Sequence, residues 1–350
     1  MADEIKHSDD VGPNDKSSQN TEFSASDNAV IFIQNSDQVY QPCILDDTIW
    51  ETQRQGSPGK LTFKVMKNGV LNFAEGNIVK MVHKGKDVFM GYVFTKKRNK
   101  DDTIEVIAYD QLRYLKNKDI YYYTSLKAGD LVKRIAKDYR LQVGDIEDTE
   151  YVIPKYRGSN ETLFDIIQSA LDHTLIYSKK MFVLYDDFGK LTLKNIEAMT
   201  VDILIDSETA ENYSYQSSIE KSYNRIKLYH DNKKTGKREV YISQDSANIA
   251  RWGILQMCES VNPKKCQNPG AKADTLLKQN NLVQRTLSIT NVLGDDRIRA
   301  GSSLYVKLNL GDVELGQDGD LALMLVESVK HKYSNNQHTM DLNLRGGIFK

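Results

Sequence analysis

The 350-residue chain carries 47 Lys and Arg against 48 Asp and Glu. That near-zero balance gives no chain-wide field to draw it to phosphate backbones or anionic lipid, although local patches are not excluded. Cys43, Cys258 and Cys266 form no Cys-x-x-Cys pair and leave an odd thiol, which disfavours both a disulfide framework and a zinc site.

No run of about 18 apolar residues occurs, and "MADEIKHSDD" is not a basic segment followed by an apolar core, so neither a spanning helix nor a signal peptide is expected. Synthesis in a reducing cytosol, without membrane contact, is the expectation. Nineteen Tyr against two Trp point to many half-buried strand positions. The length predicts two or three domains.

In chain order, residues 1–28 are rich in Asp, Ser, Asn and Lys and are expected to remain a disordered tail. From Ala29 the pattern alternates. "AVIFIQ", "KLTFKV", "NIVKMVHKG", "DVFMGYVFTK" and "TIEVIAYD" predict about five strands, enough for a small barrel or sandwich over 29–118. Residues 119–199 then read as an α+β insert. Its "AGDLVKRIAKDY" and "NETLFDIIQSALDH" carry apolar residues at helical spacing, with Ser159 or Asn160 as N-cap, and "MFVLYDDFGKLTLKNI" follows as a hairpin. Residues 200–350 return to strands: "YNRIKLYHD", "REVYISQD", "VQRTLSIT", "SSLYVKLNL", "LALMLVESVKHKY" and "HTMDLNL". Two helical stretches, "SANIARWGILQMCES" and "AKADTLLKQNN", interrupt them. The expected fold class is mainly β, with two tube-like β-barrels flanking a small α/β insert.

An internal repeat links the two β-regions. Without gaps, "YVFTKKRNKDDTIEVI" (92–107) aligns with "SVKHKYSNNQHTMDLN" (328–343), setting Val93 on Val329, Lys96 on Lys332, Asn99 on Asn335, Thr103 on Thr339 and Val106 on Leu342. Each copy follows a glycine-led strand, at Gly76 and at Gly301, the second with the longer loop "GDVELGQDGD". Two barrel copies per chain would let a trimer present six similar barrels around one axis.

The order "FMGYVFTKK…IEVIAYDQLRYLKN", "ETLFDIIQSALD", "SIEKSYNRIKLY", "RWGILQ", "AKADTLLKQN" and "AGSSLYVKLNL" resembles the XkdQ/YqbQ-like phage baseplate hub proteins, grouped with late control protein D and the N-terminal part of type VI secretion spikes. The resemblance spans roughly residues 29–350 and rests on the order of several weak motifs. It implies a homotrimeric hub that joins a six-fold tail tube protein to a three-fold central spike protein among other baseplate proteins, in a contractile phage tail or a phage-tail-like bacteriocin. No single motif in it is catalytic, and no cofactor, catalytic or metal residue is expected. The chain ends at "LRGGIFK" without a repetitive β-helix, so the spike is expected to be a separate polypeptide.

Other chemistry is thinly signalled. "SLKAGDLVKRIAKDYRLQ" resembles the start of a LysM module, which makes peptidoglycan binding by the insert the alternative to a packed structural helix. Asp186 and Asp187 read as turn residues rather than a catalytic pair. His83, His173, His230, His331 and His338 show no metal-ligand spacing. No Gly-x-Ser-x-Gly elbow, phosphate-cradling loop or Cys-His constellation is present, so no enzyme activity is expected. The basic tip of the first hairpin, Lys96, Lys97 and Arg98, and its counterpart, Lys332 and Tyr333, are the candidate subunit or ring contacts. Transient contact with DNA in a tube lumen is the other use for such a tip.

Overall fold

Alternation sets the strands: in Lys60–Met66, Leu61, Phe63 and Val65 are buried while Lys60, Thr62 and Lys64 lie half exposed. A computed structural model describes residues 29–346 apart from 68, 207, 211, 233–235, 262–267, 309–320 and 335–336. The expected tail, Cys266, the loop 311–320, Asn335 at the second hairpin tip and the last four residues lie outside these.

The first region holds β1 (Val30–Asn35), β2 (Gln38–Tyr40), β3 (Ile44–Gln53), β4 (Lys60–Met66), β5 (Ile78–His83), β6 (Lys86–Arg98) and β7 (Thr103–Tyr109). Their inward residues, among them Ile31, Ile33, Phe63, Met81 and Val106, form one core with Phe73 of the β4–β5 connection. Each such burial contributes about 1.5–3 kcal/mol.

The insert follows as β8 (Lys118–Lys127), α1 (Ala128–Asp138), β9 (Val143–Ile146), β10 (Val152–Thr162), α2 (Leu163–Ser178), β11 (Phe182–Asp186) and β12 (Leu191–Asn195). Leu131, Val132, Ile135 and Ala136 of α1 pack with Ile166, Ile167 and Ala170 of α2, and Leu112 and Leu115 of the preceding 3-10 turn join the same core. α2 is capped by Thr162, whose hydroxyl accepts from the Asp165 N–H at 3.1 Å, rather than by Ser159 or Asn160. The reason is that β10 stays paired with β8 as far as Thr162, with Asn160 spent in a bulge at φ 58°.

The last region comprises β13 (Thr200–Asp206), β14 (Asn212–Ser218), β15 (Arg225–Asn232), β16 (Lys237–Gln244), α3 (Ser246–Trp252), β17 (Gln256–Ser260), α4 (Pro269–Asn280), β18 (Gln284–Leu293), β19 (Ser303–Lys307), β20 (Ala322–Ser334) and β21 (Gln337–Gly346). Gly253, at φ +76°, stops α3, so "QMCES" is a strand and not the helix its neighbours suggested. β15, β16 and β17 form their own sheet, with Ile226 and Leu228 packed on Ala273 and Leu276 of α4.

The other strands of the first and last regions belong to one sheet. In the first, the spatial order is β1-β5-β6-β7-β4-β3; in the second, β13-β19-β20-β21-β18-β14. The two orders correspond strand for strand, and only the β13–β19 pairing is parallel where β1–β5 is antiparallel.

Identical irregularities fix the correspondence. The Gly76 N–H donates to Val93 O and the Val93 N–H to Asn77 O, at 2.8 and 2.9 Å; the Gly301 N–H donates to Val326 O and the Val326 N–H to Ser302 O, both at 2.8 Å. Both glycines have positive φ, +86° and +96°. A register shift follows each valine, at Val93/Thr95 in one hairpin and at Val326/Ser328 in the other.

Val93 therefore corresponds to Val326, not to Val329 as the ungapped alignment has it. On the returning strands Ile104 and Val106 face inward just as Met340 and Leu342 do. The second hairpin is thus three residues longer in its outgoing arm, and an ungapped alignment cannot hold both arms.

Candidate functional site at the seam between the two repeats

The two copies join edge to edge. β20 pairs antiparallel with β3, setting Ser328 opposite Gln53, Val329 opposite Thr52, Lys330 opposite Glu51 and His331 opposite Trp50. The rings of Trp50 and His331 stack at 4.7 Å, and the Arg54 N–H donates to Glu327 O at 2.9 Å. The Arg54 Nε also meets the Glu327 carboxylate at 2.9 Å. The two copies thus run in one path, β14-β18-β21-β20-β3-β4-β7-β6-β5-β1-β2.

β14 and the outer part of β6 are edges whose counterparts inside the chain are paired. β14 corresponds to β3, since Tyr215 lies opposite Leu287 as Trp50 lies opposite Leu61, and Leu287 and Leu61 lie opposite the matched Leu344 and Ala108. Among the described residues β14 has no strand on its outer side. β6 corresponds to β20, yet β5 ends its pairing at Tyr92, so among the described residues Phe94–Arg98 has β7 alone beside it. Exposed strand edges of this kind are templates for pairing with another chain.

The predicted contact residues divide between the open edge of β6 and the seam. Lys96 is half buried, with its ammonium 4.0 Å from the Phe73 ring centroid and donating to Phe73 O. Lys97 is exposed and lies 3.6 Å from Glu105, and Arg98 is exposed on the open edge. Lys332 and Tyr333 sit at the seam: Lys332 reaches Asp341 at 2.7 Å, and Tyr333 is buried with its hydroxyl donating to Asp296 at 2.7 Å.

A buried polar cluster fills the seam behind them. His83 Nδ1 lies 2.6 Å from Asp296 Oδ2, and His338 Nδ1 lies 3.6 Å from Asp296 Oδ1. His338 Nε2 is 2.9 Å from His331 Nδ1, and His331 Nε2 is 2.9 Å from Ile298 O. Tyr333 stacks on His338 at 4.2 Å. Burial pushes His331 down to about 3 and His338 to about 4, each against its ordinary imidazole value. Sequence spacing did not gather these histidines, because His83 comes from one copy and His331 and His338 from the other. The sole signal was a His pair seven apart across a hairpin tip.

A second polar site lies where the insert meets both copies. Asp110 Oδ1 accepts the Leu112 N–H at 3.0 Å and Oδ2 accepts the Gly59 N–H at 2.8 Å, while Asp186 Oδ1 accepts the Gly189 N–H at 2.6 Å. Burial first, and then the Asp186 charge, hold the Asp110 carboxyl well above the carboxylate range. Burial raises Asp186 to about 6 against the opposing Gly189 N–H and Arg299. Asp186 does close a turn as expected, but it is also buried, which its turn motif did not reveal. The cavity beside them measures about 20 Å³ and is lined by Trp50, Asp110, Asp186 and Arg299. That volume accommodates about one water and no sugar ring.

No helix among the described residues is long and apolar enough to cross a membrane. The YQBQ-like family matches residues 48–345. The chain is 28% identical to the uncharacterised protein YqbQ of Bacillus subtilis (strain 168) over 302 residues, covering 84% of this chain and 90% of that one. It is also 28% identical to the phage-like element PBSX protein XkdQ of the same organism over 278 residues, or 77% and 82%. Its fold is that of the prophage MuSo2 43 kDa tail protein from Shewanella oneidensis, with a TM-score of 0.65 at 11% identity over 90% of this chain and 98% of that one.

Proposed function

Because the chain belongs to the YQBQ-like family, we propose that it is a non-enzymatic hub of a phage-tail-like baseplate, three copies of which close a ring of six repeats. In this reading the ring continues a six-fold tail tube protein on one side and receives a three-fold central spike protein on the other. The particle is a phage tail or a phage-tail-like bacteriocin, and other baseplate proteins surround the ring. The fold shared with a phage tail protein supports this placement.

One observation carries the reading: the in-chain seam β3–β20 has an unclosed counterpart in β14 and β6. Repeating the seam between chains sets Tyr215 of one copy opposite Arg98 of the next, as Trp50 stands opposite His331. The same operation sets Gln216 opposite Lys97, Ser217 opposite Lys96 and Ser218 opposite Thr95. A guanidinium over a tyrosine ring replaces the Trp–His stack. A heterologous contact of this kind closes into a ring when the rotation per step allows it. With two repeats per chain, six-fold closure needs three chains.

Electron microscopy of the full chain tests the reading. Expected particles are six-lobed rings of three-fold symmetry around a lumen. Single-chain particles at every concentration would count against it.

A further inference from the structure

We propose that His83, Asp296 and His338 bind one divalent transition-metal ion of the zinc class, seated within a single chain at the seam between the repeats. The site is complete within one chain, however chains assemble. A carbonyl oxygen only accepts, so His331 Nε2, 2.9 Å from Ile298 O, carries a hydrogen. In the neutral ring His331 Nδ1 is then an acceptor, and the atom facing it at 2.9 Å, His338 Nε2, must donate. His338 Nδ1 is left with its lone pair, 3.6 Å from a carboxylate oxygen of Asp296. Asp296 Oδ1 already accepts from the Tyr333 hydroxyl, so the lone pair left without a donor is that of His338 Nδ1, and a cation beside the carboxylate takes it up.

The ligand set and its surroundings fit such an ion. One donor atom each from His83, Asp296 and His338 lies within 4.8 Å of the others. Tetrahedral zinc with bonds of about 2.0–2.1 Å separates its ligands by about 3.3 Å, so the histidine and Asp296 oxygen atoms need shift by no more than about 1 Å. In the metal-free chain His83 Nδ1, 2.6 Å from Asp296 Oδ2, carries the ring hydrogen; an ion at Nδ1 takes its place, and the ring adopts the Nε2–H tautomer. Two imidazoles and a carboxylate favour Zn²⁺, Co²⁺ or Ni²⁺ over Mg²⁺ or Ca²⁺.

Outer partners of the kind that metal sites require are in place: His338 donates through His331 to Ile298 O, and the Tyr333 hydroxyl holds Asp296 Oδ1 at 2.7 Å. Gly294 makes room for the ligand ring, since a Cβ there would stand 2.3 Å from His338. Asp296, 18% exposed, opens the route from solvent and leaves a fourth position for water. Because His83 belongs to one repeat and Asp296 and His338 to the other, the ion staples the two.

The test uses the full chain stripped with chelator. Calorimetric titration with zinc chloride should show one ion per chain, with a rise in Tm that chelator reverses, as for any ligand of the folded state. Cobalt should give the visible absorption of a four-coordinate nitrogen and oxygen site. Asp296→Asn keeps an acceptor for Tyr333 and should lose at least tenfold in affinity, whereas His230→Gln should change nothing. Imidazole nitrogen NMR of the unmodified chain, which needs no variant to fold, should show zinc shifting one nitrogen each of His83 and His338. Absence of saturable binding, equal affinity in Asp296→Asn, or a protonated His338 Nδ1 unmoved by zinc would overturn the proposal.

Discussion

Trp50 and His331 stand opposite one another across the seam, their rings stacked at 4.7 Å and 2% and 0% exposed. The contact belongs to neither repeat alone. It joins β3 to β20 and so turns two similar sheets into one.

Removing the aromatic half of that contact should loosen the seam before it unfolds either repeat. Trp50→Ala is expected to cost about 3–5 kcal/mol, the usual range for truncating a buried aromatic residue. Denaturant titration followed by circular dichroism measures the loss, and hydrogen exchange should place the first opening along residues 48–53 and 328–333.

The matched glycines should not respond equally. Both donate to a valine carbonyl from positive φ, but a Cβ on Gly76 meets nothing within 4 Å, whereas one on Gly301 would stand 2.7 Å from Val183. Gly76→Ala should cost about 1–2 kcal/mol for its backbone alone. Gly301→Ala should cost more, by about 1–3 kcal/mol of overpacking. Thermal unfolding of the two variants side by side gives the difference.

The Asp186 carboxyl, raised to about 6 by burial, makes a pH-dependent prediction. Its unfolded value is about 3.9, so the native state holds the proton more tightly and loses stability as pH rises through about 4 to 6. Asp186→Asn keeps an acceptor for the Gly189 N–H and removes the charge, and Arg299 retains Asp187 at 3.8 Å. The variant should be more stable than the parent by about 1–3 kcal/mol at pH 8, and the two should converge near pH 4. Denaturant midpoints across that range measure it.

Charge reversal on the open edge should separate assembly from folding. Arg98→Glu sits on an exposed strand end, so the isolated chain should change by no more than about 0.5 kcal/mol. Ring formation, read by solution mass, should be lost.

Much of this architecture is legible in the sequence because alternation is local: Leu61, Phe63 and Val65 announce β4 without reference to any other strand. The repeat was also legible, through Gly76 and Gly301. Its register was not, since a bulge after Val93 and another after Val326 reset the phase in a way that a string of residue types does not record. β3 escaped notice for a related reason. "ILDDTIWETQ" carries Asp46 and Asp47 amid its apolar residues and a register shift against β4, so its period is broken. The seam cluster was the least visible, because His83 and His338 become neighbours only after two distant copies pair.

In a closed ring of three chains, β14 of one chain repeats on β6 of the next what β3 does on β20. Cysteine pairs at Arg98 and Tyr215 in one otherwise Cys-free chain, oxidised and run without reductant, test it directly. The expected product is a ladder of dimer and trimer that stops at three, with none from a pair moved to Arg98 and Tyr213, whose side chain lies two residues out of register. Failure to form cross-links between chains, or equal yields from both pairs, would contradict it.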